Sequence, residues 1–440
     1  MSGPFSKEVD VLEKLDRIPW HELTHAYGPA DDVPDLLRAL ALPSDPSEEE
    51  GPLWQLFGNI WHQGTVYEAT SHAVPFLIGL VADPATPDRT GILNLLASIA
   101  DGTSYVDVHR RFLKGDHEQR RQQELEWVAA AHDAVSDGLS VYLKLLGERG
   151  EIRLASAYVL AKLHDRGDIV EPLLLELLES TADPTNRTGY LLLLGVLGRD
   201  TPKVAAALEP YFKSAVRTHR LAAAASAALV KMNPMSTPAV DAVLEAVEVD
   251  FFESEFKGLP WDVGIEIDFE DLFQSLDEAG RTRIIDRLIE LIELIENSGA
   301  THNRITHLLE ATFPLNSGLP PTRAAEMSPQ QLRAIRAIEP TRRLPKRVFH
   351  GMYGQWRLPD TNREWADLVA GRESVPVDNT LPILADPKTP RQPIDSSIVA
   401  VGRRVVHRCF GFGTVTKIGS GNRPTFTIDF DTEGTRQICP

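Results

Sequence analysis

Residues 21–31 read His21-Glu22-Leu23-Thr24-His25-Ala26-Tyr27-Gly28-Pro29-Ala30-Asp31. On a helix, two histidines one turn apart share a face and can bind one zinc ion. The glutamate between them could then activate a water, and Gly28 would turn the chain toward a third ligand at Asp31. A second concentration of polar and aromatic groups follows at Trp61, His62, Gln63, Tyr67, Glu68 and His72. Polar side chains around a turn between helices could line a binding groove. Capping and buried hydrogen bonding would serve the same residues equally well. Glu68 and His72 are spaced to pair on one helix surface. Trp54 and Phe57, just upstream, read as core.

The first pattern resembles the zinc signature of metzincin-like peptidases. Two features of the surrounding sequence oppose that chemistry. Only twenty residues precede His21, too few for the sheet and helix that such a fold places before its metal helix. Met1 is followed by no methionine before Met232, so the methionine turn of that family has no counterpart. The competing expectation is a short helix opened by Pro19 and closed by Gly28, with Asp31 or Asp32 capping the next helix, VPDLLRAL. On that reading no metal and no cofactor is required, and the zinc peptidase stands as the enzymatic alternative. Loops of the type GxxxxGK[ST] and GxSxG are absent, as is any CxxC pair.

The elements that must position these residues show a repeat. Arg89, Arg121, Arg153, Arg187 and Arg220 are spaced by 32, 32, 34 and 33 residues. Apolar residues follow at offsets of four, seven and ten: Leu93, Leu96 and Ile99 after Arg89, and Ala157, Leu160 and Leu163 after Arg153. Leu191, Leu194 and Leu197 follow Arg187, and Ala224, Ala227 and Val230 follow Arg220. The Arg121 unit (Leu125, Val128, Ala131) fits least well. These offsets fall on one helical face, and one apolar stripe cannot bury itself alone, so neighbours at a fixed period must stack. Between them lie second helices such as AVPFLIGLVAD and IVEPLLLELLES, whose prolines read as N-terminal. The segment EIRLASAYVLAKLHDRGDIVEPLLLELL resembles bacterial HEAT-repeat proteins of the short, PBS-lyase-like type, over roughly residues 50–240. That resemblance implies an α-solenoid and is nearly silent on function.

The fold expected is mainly α: a HEAT-like solenoid over residues 1–372, interrupted by an irregular insertion at about 248–275, then a proline-rich linker at 373–395 and a small β-barrel at 396–440. The insertion, VDFFESEFKGLPWDVGIEIDFED, lacks helical period and reads as a loop across one face of the solenoid. In the tail, Phe426, Ile428 and Phe430 alternate with Thr425, Thr427 and Asp429, the period of a half-buried strand. Gly402, Val405, Val406, His407, Phe410, Gly411, Gly413, Val415 and Phe430 resemble the Tudor-like (SH3-fold) barrel at the end of UvrD-type helicases. In those helicases the barrel contacts RNA polymerase, so the resemblance implies a partner in the transcription machinery. Arg408, Phe410, Phe412 and Lys417 would form its contact patch. The basic run 342–347 reads as a solvated loop.

Charge divides the chain. The formal net charge is −18, yet residues 321–440 hold 18 basic against 12 acidic side chains, leaving 27 against 51 in the first 320. An acidic body repels phosphate, so nucleic acid is not expected on the solenoid and a basic protein partner is favoured. An antitoxin-like protein that masks a basic toxin is the alternative binding reading. The N-terminus has no apolar signal core, no stretch reaches about 18 apolar residues, and the two cysteines fit a reducing compartment. A cytoplasmic protein without membrane partners is expected.

Overall fold

The computed structural model describes residues 12–43, 50–109, 116–248, 255–261, 273, 276–293, 300–313, 324–339, 358, 365, 368–370, 404–407, 411–419, 425–430 and 434–438. The molecule is mainly helical, with helices packed against one another in a manner compatible with a helical solenoid. It divides into two compact units, Met1–Leu276 and Asp277–Pro440.

The first unit opens with a 3-10 turn, Leu12–Arg17, and a second, Trp20–Glu22. A two-stranded ribbon follows, β1 (Thr24–His25) with β2 (Gly28–Pro29), then helices α1 (Val33–Ala39) and α2 (Pro52–Asn59). A second ribbon, β3 (Trp61–His62) with β4 (Thr65–Val66), leads into α3 (Glu68–Ala82) and α4 (Arg89–Ala100). Next come α5 (Tyr105–His109), α6 (Glu118–Asp137), α7 (Leu139–Leu145) and α8 (Glu151–Lys162). The unit continues with α9 (Gly167–Ser180), α10 (Pro184–Val196), α11 (Pro202–Leu208), α12 (Arg217–Leu229) and α13 (Thr237–Val247).

Helices α4, α8, α10 and α12 pack one on the next, backed by α3, α7, α9 and α13. Their stripe residues Leu93, Leu96, Ile99, Ala157, Leu160, Leu163, Leu191, Leu194, Leu197, Ala224, Ala227 and Val230 are all buried. Small side chains let the helices approach: a Cβ on Gly195 would lie 2.6 Å from the Ser226 Cα, so glycine is required there.

The repeating arginines turn out to be caps. The last carbonyls of a helix lack intrahelical donors, and a cation near them also suits the helix dipole. Arg89 Nε donates to the Val81 carbonyl at the end of α3 (2.8 Å), and Arg153 Nε to Leu146 after α7 (2.9 Å). Arg187 Nη2 reaches the Thr181 carbonyl after α9, and Arg220 Nη1 the Ser214 carbonyl (2.6 Å). Arg89 and Arg220 also grip Glu148 and Glu245 with both nitrogens of the fork. The Arg220 fork in turn holds the Glu245 carboxyl below the usual range.

Two sequence expectations need correction. Arg121 belongs to no stacked helix: α4 packs directly on α8, while α6 lies against α3 and α4. Arg121 binds Asp107 and Glu118 instead, and Leu125 and Val128 are only half-buried. The prolines of the second helices are not N-terminal, because Pro75 and Pro172 sit inside α3 and α9. Both are exposed, so the carbonyl each frees lies on the water side and the cost of the lost bond is reduced.

In the second unit α14 (Glu278–Glu293), α15 (Ala300–Thr312) and α16 (Pro329–Ile338) pack mutually through residues such as Ile284, Leu288, Leu308 and Ile335. Ser328 and Gln331 cap α16 reciprocally, and fully buried Trp365 donates its indole N–H to the Ile335 carbonyl (3.3 Å). Strands β5 (Arg404–His407), β6 (Gly411–Gly419), β7 (Thr425–Phe430) and β8 (Gly434–Ile438) form an antiparallel meander in that order. Val415 faces Ile428 across the β6–β7 pair, both fully buried, next to a bulge before Lys417. The expected linker at 373–395 and basic run at 342–347 lie outside the described residues. Among those described, no helix is long and apolar enough to cross a membrane.

Candidate binding surface

The two sequence motifs converge on one surface built from the two ribbons. The first ribbon starts from an anchor. Trp20 is buried, its indole N–H donates to the Leu15 carbonyl (2.9 Å), and its ring leans on Phe76 of α3 at 6.5 Å. The helix expected from Pro19 to Gly28 stops after Glu22, where Leu23 is already extended (φ −91°, ψ 156°). Polar partners explain why. Glu68 Oε2 accepts both the backbone N–H (3.2 Å) and the hydroxyl (3.0 Å) of Thr24, drawing the chain into a strand. Chain reversal then takes place over Ala26 and Tyr27, with Gly28 at φ +133°, a conformation that side chains rarely adopt.

His25 is fixed at both ring nitrogens. Its Nδ1 accepts the Tyr27 N–H (3.0 Å), so the proton sits on Nε2, which donates to Asp32 Oδ1 (3.0 Å). The other Asp32 oxygen takes Asn59 Nδ2 (2.6 Å), and the Asn59 carbonyl takes the Ala26 N–H (3.0 Å). Asp32 stands at the N-cap of α1 but spends its carboxylate on His25 and Asn59, with no side-chain capping bond. Asp31 is exposed. The His21 and Glu22 side chains are 70% and 69% exposed, on the 3-10 turn. The motif therefore lacks the single helical face that a shared zinc ion needs, and among the described residues no group of three or more ligand-type side chains could hold a metal.

The second ribbon reverses at Gln63 (φ +50°) and Gly64 (φ +90°), the two positive angles of a tight hairpin turn that matches strand twist. The Thr65 hydroxyl donates to the His62 carbonyl and bonds the Tyr67 hydroxyl, each at 2.7 Å. Backbone bonds Val66 N–H to Thr103 O (3.2 Å) and Thr103 N–H to Gly64 O (2.8 Å) tie the turn to the loop after α4. Tyr67 is half-buried, and burial pushes its hydroxyl above the usual pKa.

The ribbons meet at Tyr27, whose hydroxyl lies 3.3 Å from His62 Nε2 with the rings edge to face at 5.6 Å. Tyr27 is nonetheless 69% exposed. A Cβ on Gly58 of α2 would lie 3.9 Å from the Tyr27 ring, and Trp54, one turn earlier on α2, is 58% exposed. Trp54 is thus a surface residue, against its reading as core, while Phe57 is half-buried edge-on to Trp61 at 5.8 Å. Gln63 and His72 are exposed. Glu68 turns to Thr24 instead of pairing with His72 along α3.

Of the C-terminal candidates, Arg408 and Phe410 lie outside the described residues. Phe412 is placed opposite Val406 in the β5–β6 register, and Lys417 is exposed on β6. Sequence reasoning gave Tyr27, Trp54, Asp32 and Asn59 no part in this surface, reading Trp54 as core and Asp32 only as a helix cap. The Gln-Gly pair of the second ribbon was a usable signal, whereas the first ribbon is held by partners too distant in sequence to see. No family model matches the chain, and no curated protein is significantly similar to it.

Proposed function

We propose that this chain is a protein-binding scaffold without an enzymatic role of its own. The helical stack, read as a HEAT-type solenoid, holds a protein or peptide partner. The C-terminal meander, read as a small SH3/Tudor-like barrel, recruits a second protein, with the transcription machinery as its candidate. The observation that carries the reading is that two large aromatics, Tyr27 and Trp54, are both more than half exposed, Tyr27 on a ribbon whose turn is fixed by the His25–Asp32–Asn59 hydrogen bonds. Large exposed aromatics are the side chains that most often anchor interfaces. Exposed Glu22, Asp31 and Asp35 nearby in sequence and the acidic first 320 residues favour a basic partner.

The test is affinity purification of the full chain from its host beside Tyr27→Ala/Trp54→Ala and a control double variant, Ile169→Ala/Val216→Ala, at other exposed apolar positions. A partner lost from the first variant and kept by the control supports the reading. A partner set unchanged by Tyr27→Ala/Trp54→Ala overturns it. A chain ending near residue 390 should lose only the partner of the barrel.

A further inference from the structure

The repeat places one residue per stacked helix opposite the buried stripe. At 100° per residue, an offset of five lies about 160° round from the centre of offsets four, seven and ten. The residues there are Asn94 on α4, Tyr158 on α8, Leu192 on α10 and Ala225 on α12. All four are nonetheless buried, at 8%, 3%, 1% and 2% exposure. Neighbouring helices of the stack bury part of this face, and over α4 and α8 a further segment crosses it.

Residues 255–261 supply part of that cover. Glu255 pairs with Arg217 at the start of α12 (2.6 Å), and the chain then turns at Gly258 (φ +92°). The Pro260 carbonyl accepts Asn94 Nδ2. Trp261, 8% exposed, packs its ring on Tyr158 at 4.8 Å, with Lys162 Nζ 5.7 Å from the same tyrosine ring.

One bond in this arrangement is unmade. Among the described residues, Asn94 Oδ1 is buried without a partner, as is Ser98 Oγ one turn along α4. A side-chain amide that grips a backbone with both of its ends donates to a carbonyl and accepts an N–H. The residue whose carbonyl Asn94 takes is a proline, which has no N–H to return. The segment fills the site and leaves its acceptor unsatisfied.

We propose that this face of α4 and α8 is a docking groove for a short turn-forming segment of a partner protein. The segment fitted to it carries an aromatic side chain for the Tyr158 position, preceded by a non-proline residue whose carbonyl and N–H both bond Asn94. Residues 255–261 hold the groove in cis with a weaker version of that sequence. The proposal rests on the protein-binding reading but concerns a different face from the two ribbons, so the partner-loss test of Tyr27 and Trp54 can fail without touching it.

Two measurements on the full chain decide it. Trp261→Ala should free the groove, and fluorescence anisotropy can then follow two labelled peptides, one with the sequence of residues 255–263 and one with alanine in place of its proline. Both should bind Trp261→Ala more tightly than the unaltered chain, the alanine peptide by about tenfold over the proline peptide. Adding Asn94→Ala should erase that preference. No binding by a Trp261→Ala chain that keeps its circular dichroism, or equal affinity for both peptides, overturns the proposal. Independently, Pro260→Ala should tighten the cis contact and slow amide hydrogen exchange across 255–261 severalfold; unchanged exchange there sinks the idea even if Trp261→Ala fails to fold.

Discussion

Replacing Arg89 with methionine keeps an apolar stem in place and removes the guanidinium. Three bonds are lost: one to the Val81 carbonyl and two to Glu148. The arginine is 7% exposed, but the Glu148 side chain is 39% exposed and can return to water. The full penalty of a stranded buried charge therefore does not apply. What remains is the loss of charged hydrogen bonds, each worth about 1.5–3 kcal/mol at most, so a net cost of about 2–3 kcal/mol is expected. In a unit of this size that lowers the melting temperature by about 5 °C. Arg153→Met removes a single cap, to Leu146, and should cost about 1 kcal/mol. Arg121→Met breaks a part-buried pair with Asp107 and an exposed one with Glu118, caps no helix end, and should cost less than Arg89→Met. Arg89→Lys should recover part of the loss, since one ammonium cannot reach the carbonyl and both carboxylate oxygens together. Urea and thermal midpoints of the four variants, read by circular dichroism, give the ranking directly. Equal midpoints for Arg89→Met and Arg121→Met would refute the capping role and, with it, the physical reason for the repeat.

The loop end of α4 should make stability depend on pH. Partial burial raises the Asp101 carboxyl, but His164 and Lys162 outweigh it and hold it at about 2, while Asp101 holds His164 above the usual imidazole range against its burial. The Asp101 contribution is present above its unfolded value near 4 and lost as pH falls toward 2; that of His164 is present below about 6.5 and lost as pH rises through its higher folded value. Asp101→Asn should therefore destabilise most between pH 4 and 6.5, by about 1 kcal/mol given the half-exposed carboxylate, and a denaturation difference that stays flat from pH 3 to 8 would exclude the coupling. At the second ribbon, Gln63 occupies a left-handed position before Gly64, so Gln63→Asn should raise stability by up to about 0.5 kcal/mol; a lower melting temperature would count against the turn geometry.

The stacked helices were legible because their signal is local. An arginine, then apolar residues at four, seven and ten, repeats in sequence and packs as read for Arg89, Arg153, Arg187 and Arg220. It misled at Arg121, where Glu124 is buried to accept the Val106 N–H and the Arg120 guanidinium. A buried carboxylate with partners cannot be told from an exposed one by spacing alone. The first ribbon was illegible for a related reason. His21 to Gly28 has helix punctuation at both ends, and what breaks the helix is Glu68, forty-four residues away, together with Asp32 and Asn59. Polar contacts of that range leave no periodic trace. Trp54 was misread because an aromatic next to an apolar run looks like core whichever way the helix is turned.

The two proposed surfaces call for different kinds of partner recognition. Tyr27 lies in a stretch of sequence with exposed Glu22, Asp31 and Asp35, so encounter with a basic partner would be steered through water and weakened by salt. The groove over α4 and α8 offers an amide, a phenol ring and a hydroxyl, with Lys162 at its edge. Its selectivity would come from a backbone N–H and an aromatic ring, which salt screens hardly at all. A partner with a basic surface and a short aromatic segment could therefore be captured first at the ribbons by charge and aromatic contact. It would be retained afterwards by displacing residues 255–261, because only the incoming chain can satisfy Asn94 on both sides of its amide.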